Sequence, residues 1–288
     1  MPHLSRILFP VDFSPRCAKA SSAVRAVAGQ FKAKLSLLHS IGSAPVYQIA
    51  FPDQMYTTLR TGLRATADKS MQQFVEQNFR DFPVRQVIEE REPSEAILAH
   101  AQKSKADLIM MPTHGYGPFR RFLIGSVTAK VLHGALCPVW TSSHASGARV
   151  VSPGPYRNIL CAADTSSDAV PLLRWASWLA RRYEATLELV HVIPAMDETS
   201  RNIGEKRLRE YLRERAESAF QEILDQAGLR CEVLLRGGSL PQRLALTARE
   251  QRADLVIIGR GHLRKNLGRL RTNTLAIVSQ SPCPVISI

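Results

Sequence analysis

The chain repeats itself. The run Ile7-Leu8-Phe9-Pro10-Val11-Asp12-Phe13-Ser14 returns 152 positions later as Ile159-Leu160-Cys161-Ala162-Ala163-Asp164-Thr165-Ser166, each an apolar stretch closing on Asp-x-Ser. Leu37-Leu38-His39 returns as Leu189-Val190-His191 at the same displacement. Ala106-Asp107-Leu108-Ile109-Met110 returns as Ala253-Asp254-Leu255-Val256-Ile257 at 147, and Cys137-Pro138-Val139 as Cys283-Pro284-Val285 at 146. Four matches in one order, with a displacement that drifts by only six, mark a duplicated unit. At 288 residues there is length for two domains with a core each. Residues 142–155 have the Ser, Gly and Pro content of a linker, which puts the boundary near residue 150 and the domains at 1–145 and 156–288.

Within the first copy, short apolar runs at 6–11, 34–39, 84–89, 107–112 and 138–141 alternate with longer segments of helical spacing. That alternation predicts an α/β fold, a five-stranded parallel sheet with helices on both faces. The expected helices are Ala18 to Ala28 with Gly29 as its stop, Thr57 to Phe79, Pro93 to Gln102 and Ser126 to His133. Ser14-Pro15 supplies a capping hydroxyl and a first-turn proline. The second copy repeats the order, with helices at Ala169 to Tyr183, Glu205 to Ala227, Pro241 to Gln251 and Thr272 to Gln280, and strands near 157–162, 185–192, 230–235, 254–258 and 284–288.

Composition removes several function classes. No stretch approaches the ~18 uninterrupted apolar residues of a membrane span, and the amino terminus lacks the pattern of a signal peptide, so a soluble cytoplasmic protein is expected. Five cysteines without a C-x-x-C pair and eight histidines without an H-E-x-x-H pattern support no metal site. The formal charge of +13 would suit an acidic partner, yet both halves carry the excess, and neither a recognition-helix motif nor an aromatic RNA platform accompanies it. Nucleic acid is therefore set aside.

The chemistry-bearing segment follows the fourth strand of the first copy: Met111-Pro112-Thr113-His114-Gly115, nine residues, then Gly125-Ser126-Val127-Thr128 opening a helix. In parallel α/β sheets ligands sit at the carboxyl ends of strands, and a glycine turn feeding a helix amino terminus aims unpaired N–H groups at an anion. Gly115 and Gly125 permit close backbone approach, and the Ser126 and Thr128 hydroxyls are potential donors to phosphate oxygens. An ordinary turn followed by a helix start reads the same residues equally well. Walker A and dinucleotide fingerprints are both missing, which removes the standard NTPase and dehydrogenase readings.

Taken together, Pro10-Val11-Asp12, Leu38-His39, Thr113-His114-Gly115 through Gly125-Ser126, and Cys137-Pro138-Val139 resemble the universal stress protein family across both halves, as a tandem two-domain member. Its nucleotide-binding members carry Gly-x2-Gly-x9-Gly-Ser/Thr after strand four. The resemblance implies a Rossmann-like, adenine nucleotide α-hydrolase-like fold and an adenine nucleotide, usually ATP, with or without Mg2+. It puts Asp12 at the adenine, helped by backbone near Pro10 and Ser40. Met111, Pro112, Thr113, His114 and Gly115 would line ribose and phosphates, and Gly125, Ser126, Val127 and Thr128 would hold the phosphate tail. A carboxylate at the end of strand one is placed to accept from an exocyclic amine, although a turn or helix-cap role suits it as well. Pro112 departs from the family's first glycine and removes a backbone donor.

Aligned through Cys283-Pro284-Val285, the second copy puts Ile258, Gly261 and Arg271-Thr272 over the three motif positions, a degenerate loop. Two functions stay open. One is a cytoplasmic ATP-binding stress-response module with at most slow hydrolysis, since no Walker-type lysine or committed carboxylate pair is present and a dedicated enzyme is not indicated. The other is a nucleotide-free protein-interaction scaffold with vestigial loops. The resemblance further implies an internal pseudo-dimer of the two domains through Val139-Trp140 and Val285-Ile286, with homo-oligomers and unidentified protein partners in view. His39 and His191, at matched strand ends, read as packed, hydrogen-bonded histidines.

Overall fold

The computed structural model describes residues 2–42, 53–115, 124–142, 155–194, 196, 203–260 and 269–288. They form two compact units, the first ending within β5 at Trp140 and the second running on from Thr141 to Ile288. The first contains β1 (Arg6–Pro10), α1 (Pro15–Phe31), β2 (Lys34–Ile41), α2 (Asp53–Phe79), β3 (Val84–Glu90), α3 (Pro93–Ser104), β4 (Leu108–Met111), α4 (Ser126–Gly134) and β5 (Val139–Thr141). The second repeats the series as β6 (Asn158–Ala162), α5 (Ala169–Tyr183), β7 (Thr186–Ile193), α6 (Ile203–Ala227), β8 (Val233–Gly237), α7 (Leu240–Glu250), β9 (Leu255–Ile258), α8 (Arg269–Gln280) and β10 (Val285–Ser287). Both are Rossmann-like α/β units. Among the described residues, no helix is long and apolar enough to cross a membrane.

In the first unit the strands lie in the order β3-β2-β1-β4-β5, and the second shows the same order as β8-β7-β6-β9-β10. The β1 pairings are parallel, Ile7 beside Leu35 on one side and beside Leu108 on the other; β6 repeats this with Ile159 beside Leu187 and Leu255. Parallel neighbours need helical crossovers, and those are right-handed. Strands laid down to one side of β1 and then to the other therefore send α1 with α2 to one face and α3 with α4 to the opposite face, and the helices pack in those pairs. The central strands are buried on both faces, which explains continuous apolar runs such as Leu108–Met111.

One face of the first unit is filled by Phe9, Phe74 and Phe79, with ring centroids 6.2–6.4 Å apart, over the fully buried Val24 and Ala28 of α1. At the amino ends of the strands, Asp107 accepts the Ser5 and Arg6 N–H groups, and Asp254 does the same for Arg157 and Asn158. The repeated Ala-Asp pair is thus a brace for the start of β1 and β6.

Helix ends differ from expectation in an instructive way. Helix α1 runs through Gly29 to Phe31 and stops where Lys32 turns left-handed at φ 49°. The Lys32 N–H goes to Gly29 O and the Ala33 N–H to Ala28 O, the two bonds of a Schellman motif. The same pair closes α3 at Lys105-Ala106, α5 at Glu184-Ala185 and α7 at Arg252-Ala253, all with positive φ at the first residue. Glycine is absent from four positions that favour it, so no residue at those positions marks the stop. Helix α6 does use a glycine, Gly228, and its closing turn delays β8 to Val233, three residues beyond the expected start. Helix α2 begins at Asp53 rather than Thr57.

Two outcomes follow from these ends. Lys105→Gly relieves a left-handed side chain and should raise stability by up to about 1 kcal/mol in urea unfolding. Glu92 caps α3 by accepting from the Glu95 N–H and pairs with Lys130 of α4 at 3.2 Å. The Ser94 hydroxyl bonded to it, opposed by partial desolvation, holds its carboxyl below the usual value. A depressed folded-state pKa stabilises above the unfolded value and loses that contribution as pH falls through the folded one. Glu92→Gln keeps an acceptor for the cap and loses a carboxylate more than a third exposed, so it should cost at most about 0.5 kcal/mol at pH 7, with the difference from wild type shrinking in acid.

Candidate functional site

The chain leaves β1 toward β2 and leaves β4 toward β5, in opposite directions, so the carboxyl ends of β1 and β4 stay side by side with no crossover between them. This is where α/β sheets hold ligands. Asp12 follows β1 there, and Pro112 to Gly115 follow β4.

Asp12 is held by a tight turn. Its Oδ1 accepts the Ser14 N–H at 3.0 Å, while Ser14 Oγ accepts the Cys17 N–H and caps α1. Phe13 supplies the turn by adopting φ 62°, which a bulky residue tolerates only under constraint; its ring lies 4.3 Å from that of His39 and 5.9 Å from that of Phe74. The His39 Nδ1–H donates to Val11 O at 2.8 Å, because a carbonyl only accepts. That bond fastens the end of β2 to the exit of β1.

Gly115 lies against the Asp12 carboxylate so closely that a Cβ on it would stand 1.9 Å from Oδ2. Arg16, in the first turn of α1, donates from Nη1 to Gly115 O at 2.9 Å. Sequence reasoning missed Arg16; its only signal was a cation two residues after the capping serine. Cys17 is buried beside the same carboxylate. Burial first, and the Asp12 charge second, push its thiol far above the ordinary value and keep it protonated.

The other end of the segment is bonded to itself. Gly125 N–H goes to Thr113 O at 2.9 Å, and the Thr128 hydroxyl to Pro112 O at 3.1 Å. These bonds seat α4 directly over the end of β4, with Thr113 and His114 buried beneath. They also occupy the donors of Gly125 and Thr128. Helix α4 has Gly125 as its amino cap and no side-chain capping bond, so its first-turn N–H groups, at exposed Ser126 and at Val127, face outward at the mouth. Ser40 turns away from this group: its hydroxyl donates to Arg91 O beyond β3, leaving only its backbone toward β1. Arg120 and Arg121, two cations within the nine-residue stretch between Gly115 and Gly125 that could pair with phosphates, lie outside the described residues.

The second unit reproduces the turn. Asp164 Oδ1 accepts from Ser166 N–H at 3.0 Å and from its hydroxyl, and His191 Nδ1–H donates to Ala163 O at 3.0 Å. Strand pairing corrects the loop alignment. Leu8 pairs with Ile109 as Leu160 does with Val256, and Ile109 N–H bonds Pro138 O as Val256 N–H bonds Pro284 O, so β9 sits at a displacement of 147. Gly259, rather than Ile258, then stands at the position of Pro112. The first glycine of the pattern was retained in this copy, and aligning through the later Cys-Pro-Val run, where the displacement is 146, had hidden it. Beyond Arg260 the loop lies outside the described residues until α8, where the Arg271 and Thr272 side chains are likewise outside them.

Residues 3–142 and 155–288 each match the sequence profile of the Universal stress protein family. The chain belongs to the universal stress protein family. Single-domain relatives align with about half of it. Universal stress protein MJ0531 of Methanocaldococcus jannaschii is 28% identical over 136 residues, covering 46% of this chain and 79% of its own. Universal stress protein YxiE of Bacillus subtilis is 25% identical over 142 residues, covering 47% and 96%. A universal stress protein structure from Archaeoglobus fulgidus matches with a TM-score of 0.67 at 17% identity, covering 99% of this chain and 96% of the other, which establishes the tandem fold.

The contact at Gly115 has a direct consequence. Gly115→Ala should drive the Asp12 carboxylate out of its bond with Ser14 at a stability cost of about 1 kcal/mol, since only a side-chain end has to rotate. A crystal structure of the variant that retains the Ser14 to Asp12 bond would contradict this.

Proposed function

We propose that this universal stress protein is an ATP-binding stress-response module whose first unit holds the nucleotide across the ends of β1 and β4. The observation that carries the reading is the uncapped amino end of α4, seated by the Gly125 to Thr113 bond within reach of the Asp12 and Gly115 pair. The N–H groups of Ser126 and Val127 would receive phosphate oxygens, with the positive end of the helix dipole behind them. Asp12 Oδ2 would accept from the adenine amine, and Arg16 at the mouth adds positive charge. Met111 to His114 would line ribose and phosphates, and Pro10 and Ser40 would contribute backbone only. Any Mg2+ would arrive with the phosphates. With no lysine or arginine assigned to the transferring phosphate, turnover would be slow.

A second reading, a nucleotide-free interaction scaffold, is favoured by Pro112, which has no N–H, and by the Gly125 and Thr128 donors that already bond within the loop.

Protein purified natively and then denatured should release adenine nucleotide detectable by chromatography, and ATP should raise the melting temperature of nucleotide-stripped protein. Gly125→Arg places a long side chain at the mouth from a residue at φ −58° and ψ 145°, an extended conformation open to any L residue, with its Cβ 3.3 Å from Thr113 O, so the backbone must give by a few tenths of an ångström. It should reduce ATP affinity at least tenfold with a cooperative melt retained. No released nucleotide, together with no calorimetric heat on adding ATP and magnesium, would select the scaffold reading.

A further inference from the structure

Strand β3 is the outer strand of the first unit, with β2 as its neighbour among the described residues. None of its seven residues is buried, and Arg85, Gln86 and Glu90 are exposed. The direction of its free backbone groups follows from the ladder. In a parallel pair the N–H and C=O of one residue point to the same side, and those of the next residue to the other. The Lys34 N–H goes to Ser5 O and the Val11 N–H to Leu38 O, so the even-numbered residues of β2 bond β1 and the odd-numbered ones bond β3. With Leu37 beside Gln86, the residues of β3 that bond β2 are Arg85, Val87 and Glu89. Val84, Gln86, Ile88 and Glu90 therefore turn both backbone groups outward. Arg64 Nη1 of α2 agrees, donating to the outward Ile88 O at 3.3 Å.

Such an edge is a template for a further strand, and its side chains specify which strand fits. For a second copy of β3 to run antiparallel with every outward group paired, Val84 must face Glu90, Gln86 must face Ile88, and Val87 must meet Val87 of the second copy on a two-fold axis. Arg85 then stands directly opposite Glu89 of the second copy, and the axis makes the same pair again on the other side. Directly opposed unlike charges stabilise a strand pair. A slip of one register step in either direction leaves outward groups unpaired and sets Arg85 opposite Val87 or Arg91. Strand β8, the outer strand of the second unit, has no such match: paired with itself over its full length it sets Leu234 opposite Arg236, and that arginine bonds Leu235 O of its own strand.

We infer that the outer edge of β3 is a dimerisation surface, and that its partner is the same edge of a second copy of this chain, paired antiparallel about Val87. The contact is isologous and closes at two copies, and it adds an antiparallel neighbour to a parallel sheet, a common combination in α/β folds. The groups already bonded at the edge are compatible with it. The His100 Nδ1–H donates to Glu89 Oε1 at 3.0 Å, which leaves Oε2 for the incoming guanidinium. Ile88 O has two lone pairs, one for Arg64 and one for the Gln86 N–H of the second copy. A contact of two strands lies at the small end of specific interfaces, so the dimer is reversible.

Sedimentation of the full chain over a concentration series should show monomer and dimer in exchange. In Val87→Cys the two thiols meet on the axis in a non-hydrogen-bonded pair, where Cα atoms stand about 4.5 Å apart, within disulfide reach. Mild oxidation should link copies through position 87, read by peptide mass, whereas Ile88→Cys, whose opposite residue is Gln86, should not link. Gln86→Pro removes an outward N–H and leaves the ladder to β2 intact, so it should weaken dimerisation at least tenfold while dilute protein keeps its cooperative melt. Arg85→Glu sets acid against acid and should weaken it as well. A chain monomeric at every concentration, equal cross-linking at positions 87 and 88, or a dimer indifferent to Gln86→Pro would overturn the inference. In the first case, a thiol at position 87 shielded from alkylation would show that another part of the same chain covers the edge; the last would show that the copies meet elsewhere.

Discussion

The parallel pairing of β1 with both β2 and β4 is the constraint from which the rest of each unit follows. A strand bonded on both edges to parallel neighbours must have crossovers leaving in both directions, and their fixed hand distributes the helices over two faces. The price is a gap at one end of the sheet that no connection can cover. Around that gap lie Asp12, the segment from Pro112 to Gly115 and the amino end of α4 in one unit, and Asp164, His191 and Gly259 in the other.

The repeat made the architecture legible, because an apolar run that recurs with its terminal Asp-x-Ser fixes strand, turn and helix start together. Asp12 and Asp164 could be found because the turn needs a short acceptor side chain two residues before a serine. The helix stops could not. Left-handed closure at Lys32, Lys105, Glu184 and Arg252 is made by two backbone bonds to the preceding turn, and with no glycine at the left-handed residue nothing in the local sequence announces it. Arg16 was invisible for a related reason: a lone cation in a helix's first turn gains meaning only once β4 brings Gly115 beside it. The retained Gly259 was hidden by a one-residue slip between β9 and β10, which strand pairing resolves and sequence spacing does not.

Two units with one frame have put different groups into the same gap. In the first, backbone donors and a guanidinium surround a single carboxylate. In the second, apolar walls carry two carboxylates and an imidazole acceptor. The matched bonds from His39 to Val11 and from His191 to Ala163 show that the junction of the first two strands of each unit is kept. The helix that follows is not kept in register, since α5 starts two residues later than α1 by the displacement of 152.

The contact between Gly115 and Asp12 bears on how such a gene can drift. With 1.9 Å between an added methyl and a carboxylate oxygen, any side chain at position 115 must displace the Asp12 carboxylate, although the two are 103 residues apart in the chain. In the second half the corresponding carboxylate is engaged by the serine two residues on, within its own turn. Tying one carboxylate to a distant glycine and its counterpart to the next turn of chain leaves the second half with fewer positions that must change in step.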